Sequence, residues 1–496
     1  MRRAVCSIAN RKSQIGNGRR ADNLKYSASI GLEVHVQLKT KSKIFCGCRN
    51  EFGGEPNSFV CPICLGYPGS LPAVNEDAIR RTVLTGLMLG SRIGEYSKFD
   101  RKSYFYPDMP KNYQISQYDK PLCIGGKVEI DVDGRTKVVG ITRIHLEEDV
   151  GKNMHFETSS GIDFNRAGTP LMEIVSEPDM ESADEAFAFL LALKQILVYG
   201  DISDCNLEQG NMRCDVNCSV RPEGQKELGT KTEIKNMNTF KGVHRALKYE
   251  IQRQIDELTK GGKIVQETRR WDDELGATTS MRSKEYAHDY RYFPEPDLMP
   301  VVISREQVET WRKQLPELPQ ARHERFVKQY GIPEYDAGVL VADKAVADYY
   351  EATAKLCGNF KAVSNWVMTD TLRMLTEKGM DIRDIKVAPK ALAALIQLVD
   401  DKTLNMPTAR EVYAILFEKG GDPAAMVKEK GLAQVSDSGA IEAVVDQAIA
   451  ANPKSVDDYK AGKVAALQFL VGQVMRLSKG KANPPMAMEM LKKKLG

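Results

Sequence analysis

Between Gly31 and Leu38 apolar and polar side chains alternate. Leu32, Val34, Val36 and Leu38 fall on one side, Glu33, His35 and Gln37 on the other. Successive side chains of a strand point to opposite faces, so the spacing predicts a half-buried strand with a carboxylate and an imidazole on one polar face. Three further segments repeat the scheme. Over 141–149, Arg143, His145 and Glu147 share a face opposite Ile144 and Leu146. Over 171–175, Glu173 sits among apolar neighbours. Over 212–220, Met212, Cys214, Val216, Cys218 and Val220 face a core, leaving Arg213, Asp215 and Asn217 outward. Asp133-Gly134, flanked by Val128 and Ile130 before and Val138 and Val139 after, is a hairpin signal. Helical stretches run from about 183 to 199, between Ser182 and Gly200, and from about 239 to 258, before Gly261-Gly262.

Past Tyr292-Phe293-Pro294-Glu295-Pro296 the period becomes that of a helix, and Leu, Ala and Lys dominate. Breaks follow at Leu315-Pro316-Glu317-Leu318-Pro319 and at Gly420-Gly421-Asp422-Pro423. The expected fold class is α+β. Residues 1–27 form a disordered basic tail. Residues 28–299 form a β-rich, mostly antiparallel domain, 300–405 a helical domain, and 406–496 a small helical tail domain.

Composition narrows the function. The chain has 496 residues, 42% hydrophobic and 28% charged, as in ordinary globular proteins. A net charge of +3 makes no case for nucleic acid as a whole-chain property. No apolar run is long enough to span a bilayer, so no membrane association is expected. Arg2, Arg3, Arg11, Lys12, Arg19 and Arg20 come before any acid. That is transit-peptide composition without the apolar face, so the compartment is read as cytoplasmic, with an organelle matrix as the alternative.

Carboxylates beside a histidine suit a hard divalent ion, Mg²⁺ or Mn²⁺ rather than zinc, and Mg²⁺ usually accompanies phosphates. One such strand alone would read as a solvated face; four with the same bias point to a shared site. Cys46-Gly-Cys48 and Cys61-Pro-Ile-Cys64 offer four thiolates within 46–64, enough to close a tetrahedral zinc shell. Cys214 and Cys218 lie on an apolar face and are core residues. The loop 100–117 mixes cations, aromatics and amides, as a surface loop or as a platform for bases and phosphates. Gly224 to Lys231 resembles a phosphate loop but has Thr230 where lysine is required, so any ATP binds without one. From 471 onward the basic residues include Arg476, Lys479 and Lys481, against one acid, Glu489. This is either an RNA-backbone contact or a solvated helix end.

Together these segments resemble the GatB family, the B subunits of aspartyl/glutamyl-tRNA amidotransferases, which carry a YqeY-like C-terminal tail. The likeness rests on GLEVHVQL at 31–38, FDRKSYFYPDMPKNYQISQ at 99–117, ITRIHLEEDVGK at 141–152 and NRAGTPLMEIVSEPDM at 165–180. It continues in MRCDVN at 212–217, GTKTEIKNMNTF at 229–240, DYRYFPEPDL at 289–298 and VGQVMRLSKGKANP at 471–484. No domain-sized insertion stands between 296 and 406, unlike the archaeal E-type relative, so the bacterial or organellar type fits. The resemblance implies a cradle-shaped β-rich domain, a helical domain and a tail that grips tRNA. It implies that Glu-tRNA(Gln) or Asp-tRNA(Asn) is activated by ATP as an acyl phosphate. Ammonia from a partner amidase, GatA, then displaces the phosphate, and a small third protein, GatC, completes a heterotrimer. Glu33, His35, Glu147, Glu148 and Glu173, with Asp215, would hold Mg²⁺. Arg143, Lys111, Ser116 and Arg213 would contact ATP. Cys46, Cys48, Cys61 and Cys64 would hold a structural zinc, and Arg476, Lys479 and Lys481 would meet tRNA.

Overall fold

The structure is a computed structural model that describes residues 25–207, 209–281, 290–433, 438–478, 482 and 484–496. The expected disordered tail lies outside the described residues as far as position 24, but Tyr26 and Ser27 are strand. The chain forms two compact units divided after Pro316.

In chain order the first unit runs β1 (Tyr26–Gln37), α1 (Glu76–Met88), β2 (Arg92–Ile93), β3 (Tyr96–Ser97), β4 (Asp100–Ser103), β5 (Tyr113–Ser116) and β6 (Cys123–Ile124). It continues with β7 (Lys127–Val132), β8 (Arg135–Glu148), β9 (Lys152–His155), β10 (Ser160–Asp163), β11 (Pro170–Ser176), α2 (Ala183–Tyr199), β12 (Met212–Pro222) and β13 (Thr232–Lys235). It ends with α3 (Phe240–Thr259), β14 (Thr268–Asp272), β15 (Ala277–Ser280), β16 (Phe293–Pro294), β17 (Val301–Val302) and α4 (Arg305–Arg312). The main sheet has ten strands in the order β15-β14-β13-β12-β1-β11-β8-β6-β2, with β7 paired to β8 off this path. Its pairs are antiparallel except β13 with β14, which are parallel and joined through α3. A parallel pair needs such a crossover.

Alternation decides which face is core. Leu32, Val34 and Val36 of β1 are buried, as are Met172 and Ile174 of β11 and Val216 of β12. Helices α2 and α3 pack on this sheet and on each other. Helix α2 starts where the Ser182 hydroxyl accepts the Glu185 N–H, and buries Phe189, Leu190, Leu193 and Leu197. The β7–β8 turn has Asp133 at φ 52° and Gly134 at φ 74°, the two left-handed residues that this hairpin type requires.

The first unit extends past the expected boundary at 299. Strand β17 pairs with β3, and α4 packs on α1, with Arg80 Nη1 donating to Gln314 Oε1 at 3.5 Å.

The second unit is helical. It contains α5 (Pro319–Tyr330), α6 (Glu334–Val341), α7 (Lys344–Cys357), α8 (Phe360–Asn365), a π-helical turn (Trp366–Thr371), α9 (Leu372–Lys378), α10 (Pro389–Asp400), α11 (Met406–Lys419) and α12 (Pro423–Glu429). Position 406 is not a packing boundary. Tyr413 of α11 shares a hydrogen bond of 2.6 Å with Thr371 and packs against Trp366 at 5.4 Å between ring centres. Four last helices, α13 (Ser438–Ala451), α14 (Pro453–Lys460), α15 (Ala465–Leu477) and α16 (Pro484–Leu495), close around their own core of Ile441, Val445, Leu467, Leu470, Val474 and Leu491. Among the described residues no helix is long and apolar enough to cross a membrane.

Candidate active site

The four polar strand faces meet. In the register of the sheet His35 is opposite Glu173 on one side and Arg213 on the other. Glu173 is in turn opposite His145. One step along, Glu33 is opposite Asp215 and Val175, and Val175 is opposite Arg143. Because every strand alternates, all these side chains stand on the face away from Leu32, Val34 and Val36.

Three of them converge. A ligand atom each from His35, Glu147 and Glu173 lies within 4.8 Å of the others, a spacing that one cation can close. His35 Nε2 is 3.4 Å from Glu173 Oε2 and 3.8 Å from Glu147 Oε1. His145, which the alternation places on this face without a role, reaches the same two carboxylates. Its Nε2 is 3.4 Å from Glu173 Oε2 and 3.9 Å from Glu147 Oε2. Its signal was its parity with Arg143 and Glu147. Two carboxylates and one imidazole form an oxygen-rich set suited to Mg²⁺ or Mn²⁺.

The neighbours sort into supports and departures. Ser116 donates to Glu147 Oε2 at 3.1 Å, so it orients a candidate ligand. Glu33 accepts from Asn217 Nδ2 at 2.9 Å and lies outside the converging trio. Asp215 is held by Lys235 at 2.8 Å, so its place in the ion site is not reproduced. Glu148 does not face the site. It has the parity of Ile144 and Leu146, and its carboxylate accepts from Lys111 Nζ at 2.5 Å and the Ile115 N–H at 2.8 Å. Lys111 is thus paired with Glu148. Arg213 Nη2 donates to buried Asp149 at 2.8 Å, which also accepts from Gln37 Nε2 at 2.8 Å. Arg143 keeps a buried Nε with no partner among the described residues.

Charge follows geometry. Burial works against a charged His35, yet hydrogen bonding and attraction from Glu173, then the charges of Glu147 and Asp215, leave its pKa raised. Burial likewise opposes ionised Glu173, but His145, His35 and Lys102 hold it well below the usual carboxylate range. Burial and then the charge of Glu147 push the Tyr292 phenol up. Tyr292 stacks on Tyr118 with ring centres 4.3 Å apart, and Tyr290 meets its edge at 6.1 Å. Lys102 Nζ lies 4.8 Å from the Tyr290 ring centre. Strand β16, just past these tyrosines, pairs with β4, so two segments of the chain far apart in sequence are joined.

The cysteines also converge. Cys46, Cys48, Cys61 and Cys64 place their sulfurs within 4.8 Å of one another. The Cys61 and Cys64 sulfurs are 3.9 Å apart, and the Cys61 N–H donates to Cys64 Sγ at 3.1 Å. A tetrahedral shell with Zn–S near 2.3 Å has edges of about 3.8 Å, so the donor set fits zinc. The hydrogen bond with Cys46 holds the Cys64 thiol down to about 5, whereas burial pushes Cys48 up to about 11. A cavity of about 230 Å³ adjoins this cluster and is also lined by Lys111, Tyr113 and Glu148. Of the tail cations, Arg476 lies in the last turn of α15, while Lys479 and Lys481 lie outside the described residues.

Residues 28–309 match the family described as the GatB/GatE catalytic domain, and residues 348–495 match the GatB domain. The chain is 55% identical over 477 residues to the B subunit of the aspartyl/glutamyl-tRNA(Asn/Gln) amidotransferase of Caldicellulosiruptor bescii, covering 95% of this chain and 99% of that protein. It is 55% identical over 476 residues to the corresponding protein of Carboxydothermus hydrogenoformans, covering 95% and 99%. It is 53% identical over 472 residues to that of Syntrophotalea carbinolica, again covering 95% and 99%.

Proposed function

This chain belongs to the GatB family of aspartyl/glutamyl-tRNA(Asn/Gln) amidotransferase B subunits, and from that membership we propose that it binds a tRNA mischarged with glutamate or aspartate and activates the side-chain carboxylate with ATP. A free carboxylate is a poor electrophile because it has no leaving group. One of its oxygens attacks the γ-phosphorus, the bond to the bridging oxygen breaks, and ADP departs. Ammonia adds to the acyl carbon of the resulting acyl phosphate, the C–O bond to phosphate breaks, and the proton shed by nitrogen leaves with phosphate. The product is Gln-tRNA(Gln) or Asn-tRNA(Asn).

The observation that carries this reading is the convergence of His35, Glu147 and Glu173 on one face of the sheet. These are the residues that would hold Mg²⁺, and when bound the ion neutralises phosphoryl oxygens. Ser116 orients Glu147 through its hydrogen bond. Glu33 and Arg143 extend the polar floor beside the trio, and the Arg143 guanidinium suits a phosphate or a carboxylate. The Tyr118–Tyr292 stack gives a flat surface for a base or a ribose. Tyr290 and Tyr292 also help to exclude water, which an acyl phosphate requires.

In this reading Cys46, Cys48, Cys61 and Cys64 hold one structural zinc ion. The tail domain meets the tRNA backbone through Arg476, Lys479 and Lys481. The amidase GatA supplies ammonia from glutamine, the small protein GatC completes the heterotrimer, and the complex works in the cytoplasm. The test is an amidation assay of the assembled complex with each mischarged tRNA. Amide product is expected only when ATP is present, with one ADP per amide. Amidation without ATP cleavage would refute the proposal.

A further inference from the structure

The polar face of the main sheet does not end at the converging carboxylates. The register carries it across three more strands. Glu33 of β1 is opposite Asp215 of β12, and β12 pairs with β13 so that Val216 meets Ile234 and Asn217 meets Glu233. Lys235 of β13 is opposite Arg270 of β14, which is opposite Thr279 of β15. Residues opposite one another share a face, so Lys235 and Arg270 stand on the face of Glu33 and His35. The other parity agrees. Ile234 and Trp271 are buried, and Arg269 lies 3.4 Å from Glu250 of α3, the helix packed on the core side.

Charges along this row pair off as far as β14. Lys235 is 2.8 Å from Asp215 and 3.2 Å from Glu233. Thr268 donates to Glu233 at 2.7 Å. The Asp272 carboxylate accepts the N–H groups of Glu274 and Leu275 in the β14–β15 turn. Arg270 is exposed, and its guanidinium has no ion-pair or hydrogen-bond partner among the described residues.

We propose that Arg270 binds phosphate of the single-stranded 3′ end of tRNA, which crosses the open face of β12, β13 and β14 and delivers the aminoacyl group to the carboxylates. The proposal rests on the tRNA reading given above. Strands lie 4.7–4.9 Å apart, so three steps from β1 put Arg270 roughly 14 Å from Glu33 across the sheet. A few unstacked nucleotides span that length. The base of a nucleoside triphosphate needs walls, and this end of the face has none, since Arg270, Thr279 and Ser280 are exposed. An open cationic track is how proteins hold the backbone of a single strand.

The test is filter binding of the assembled complex to the tRNA, intact and trimmed of its single-stranded 3′ end, over a salt series. MgATP affinity is measured in parallel. Arg270→Ala is expected to weaken intact tRNA about fivefold and to reduce the slope of log K against log salt by about 0.7, the value for one single-strand phosphate contact. Arg270→Lys recovers most of that affinity, because a point charge still meets phosphate. Trimmed tRNA binds the Arg270→Ala and unsubstituted complexes alike, and MgATP affinity does not change. Equal loss for intact and trimmed tRNA would put the contact elsewhere on the RNA and overturn the proposal. So would weaker MgATP binding with intact-tRNA affinity unaltered, which would give the phosphate to the nucleotide. So would no change in either ligand. An unsubstituted complex that binds no tRNA overturns the tRNA reading itself, and is recognised before any substitution is made. Arg270 packs against no core, so an unaltered thermal midpoint is expected in Arg270→Ala.

Discussion

Asp149 shows how the site is held from below. It is 3% exposed, and its carboxylate accepts from Arg213 and Gln37. Burial alone would raise its pKa, but Arg213, then Arg166, bring it below the ordinary value of 3.8. A carboxylate with a depressed folded pKa adds stability above its unfolded pKa and loses it as pH falls through the folded one. Asp149→Asn is therefore expected to cost about 2 kcal/mol at neutral pH and to flatten the acid limb of the stability curve below about pH 4. Urea titrations at neutral and acid pH check this; an unchanged midpoint at neutral pH would show that the pair contributes nothing. At this scale much of the site was legible. The two-residue period aligned Glu33 with His35, and Arg143 with Glu147. The same parity separates Glu147 from Glu148, since consecutive side chains of a strand cannot face one ion. The Asp215–Lys235 and Arg213–Asp149 pairs were not legible, because each joins segments that meet only in the folded sheet.

At the scale of elements, two local devices carry distinct expectations. The cysteine loop between β1 and α1 brings four sulfurs together from two short motifs. The purified full-length chain is expected to hold about one equivalent of zinc through them. Cys61→Ser should lose it, and metal analysis that finds no zinc in fresh, reduced protein would contradict the account. The β7–β8 turn was readable because Asp-Gly has one strong structural meaning between alternating apolar residues. Gly134 has φ 74°, so Gly134→Ala should cost about 1 kcal/mol in thermal or urea unfolding. The Mn²⁺ affinity should not change, since the turn does not touch the converging carboxylates. The helix at 183–199 was also legible from its serine cap and its glycine stop. Strands of two residues, such as β16 and β17, were not, because so short a run has no measurable period. They nonetheless pair with β4 and β3, and the first unit extends to residue 316.

At the scale of the whole molecule, the α+β division was visible in the change of period near 296, but the exact boundaries were not. Helix α11 joins the helices before it through Tyr413, a contact that depends on the third dimension. The last four helices have a separate core, and Arg476 ends one of them. If that end meets RNA, Arg476→Ala should weaken tRNA binding at every salt concentration and reduce the slope of log K against log salt by about one. A filter-binding series that gives an unchanged slope would remove Arg476 from the interface.

The central claim is that the carboxylates gathered on the sheet serve phosphoryl transfer to the aminoacyl group. It is tested most directly by Glu173→Gln in the assembled complex, following tRNA-dependent ATP cleavage and tRNA affinity together. The account predicts that cleavage falls by at least about 100-fold while the tRNA dissociation constant stays within about threefold, because the substitution removes charge from the ion site and leaves the RNA contacts in place. Normal ATP turnover in Glu173→Gln would contradict it.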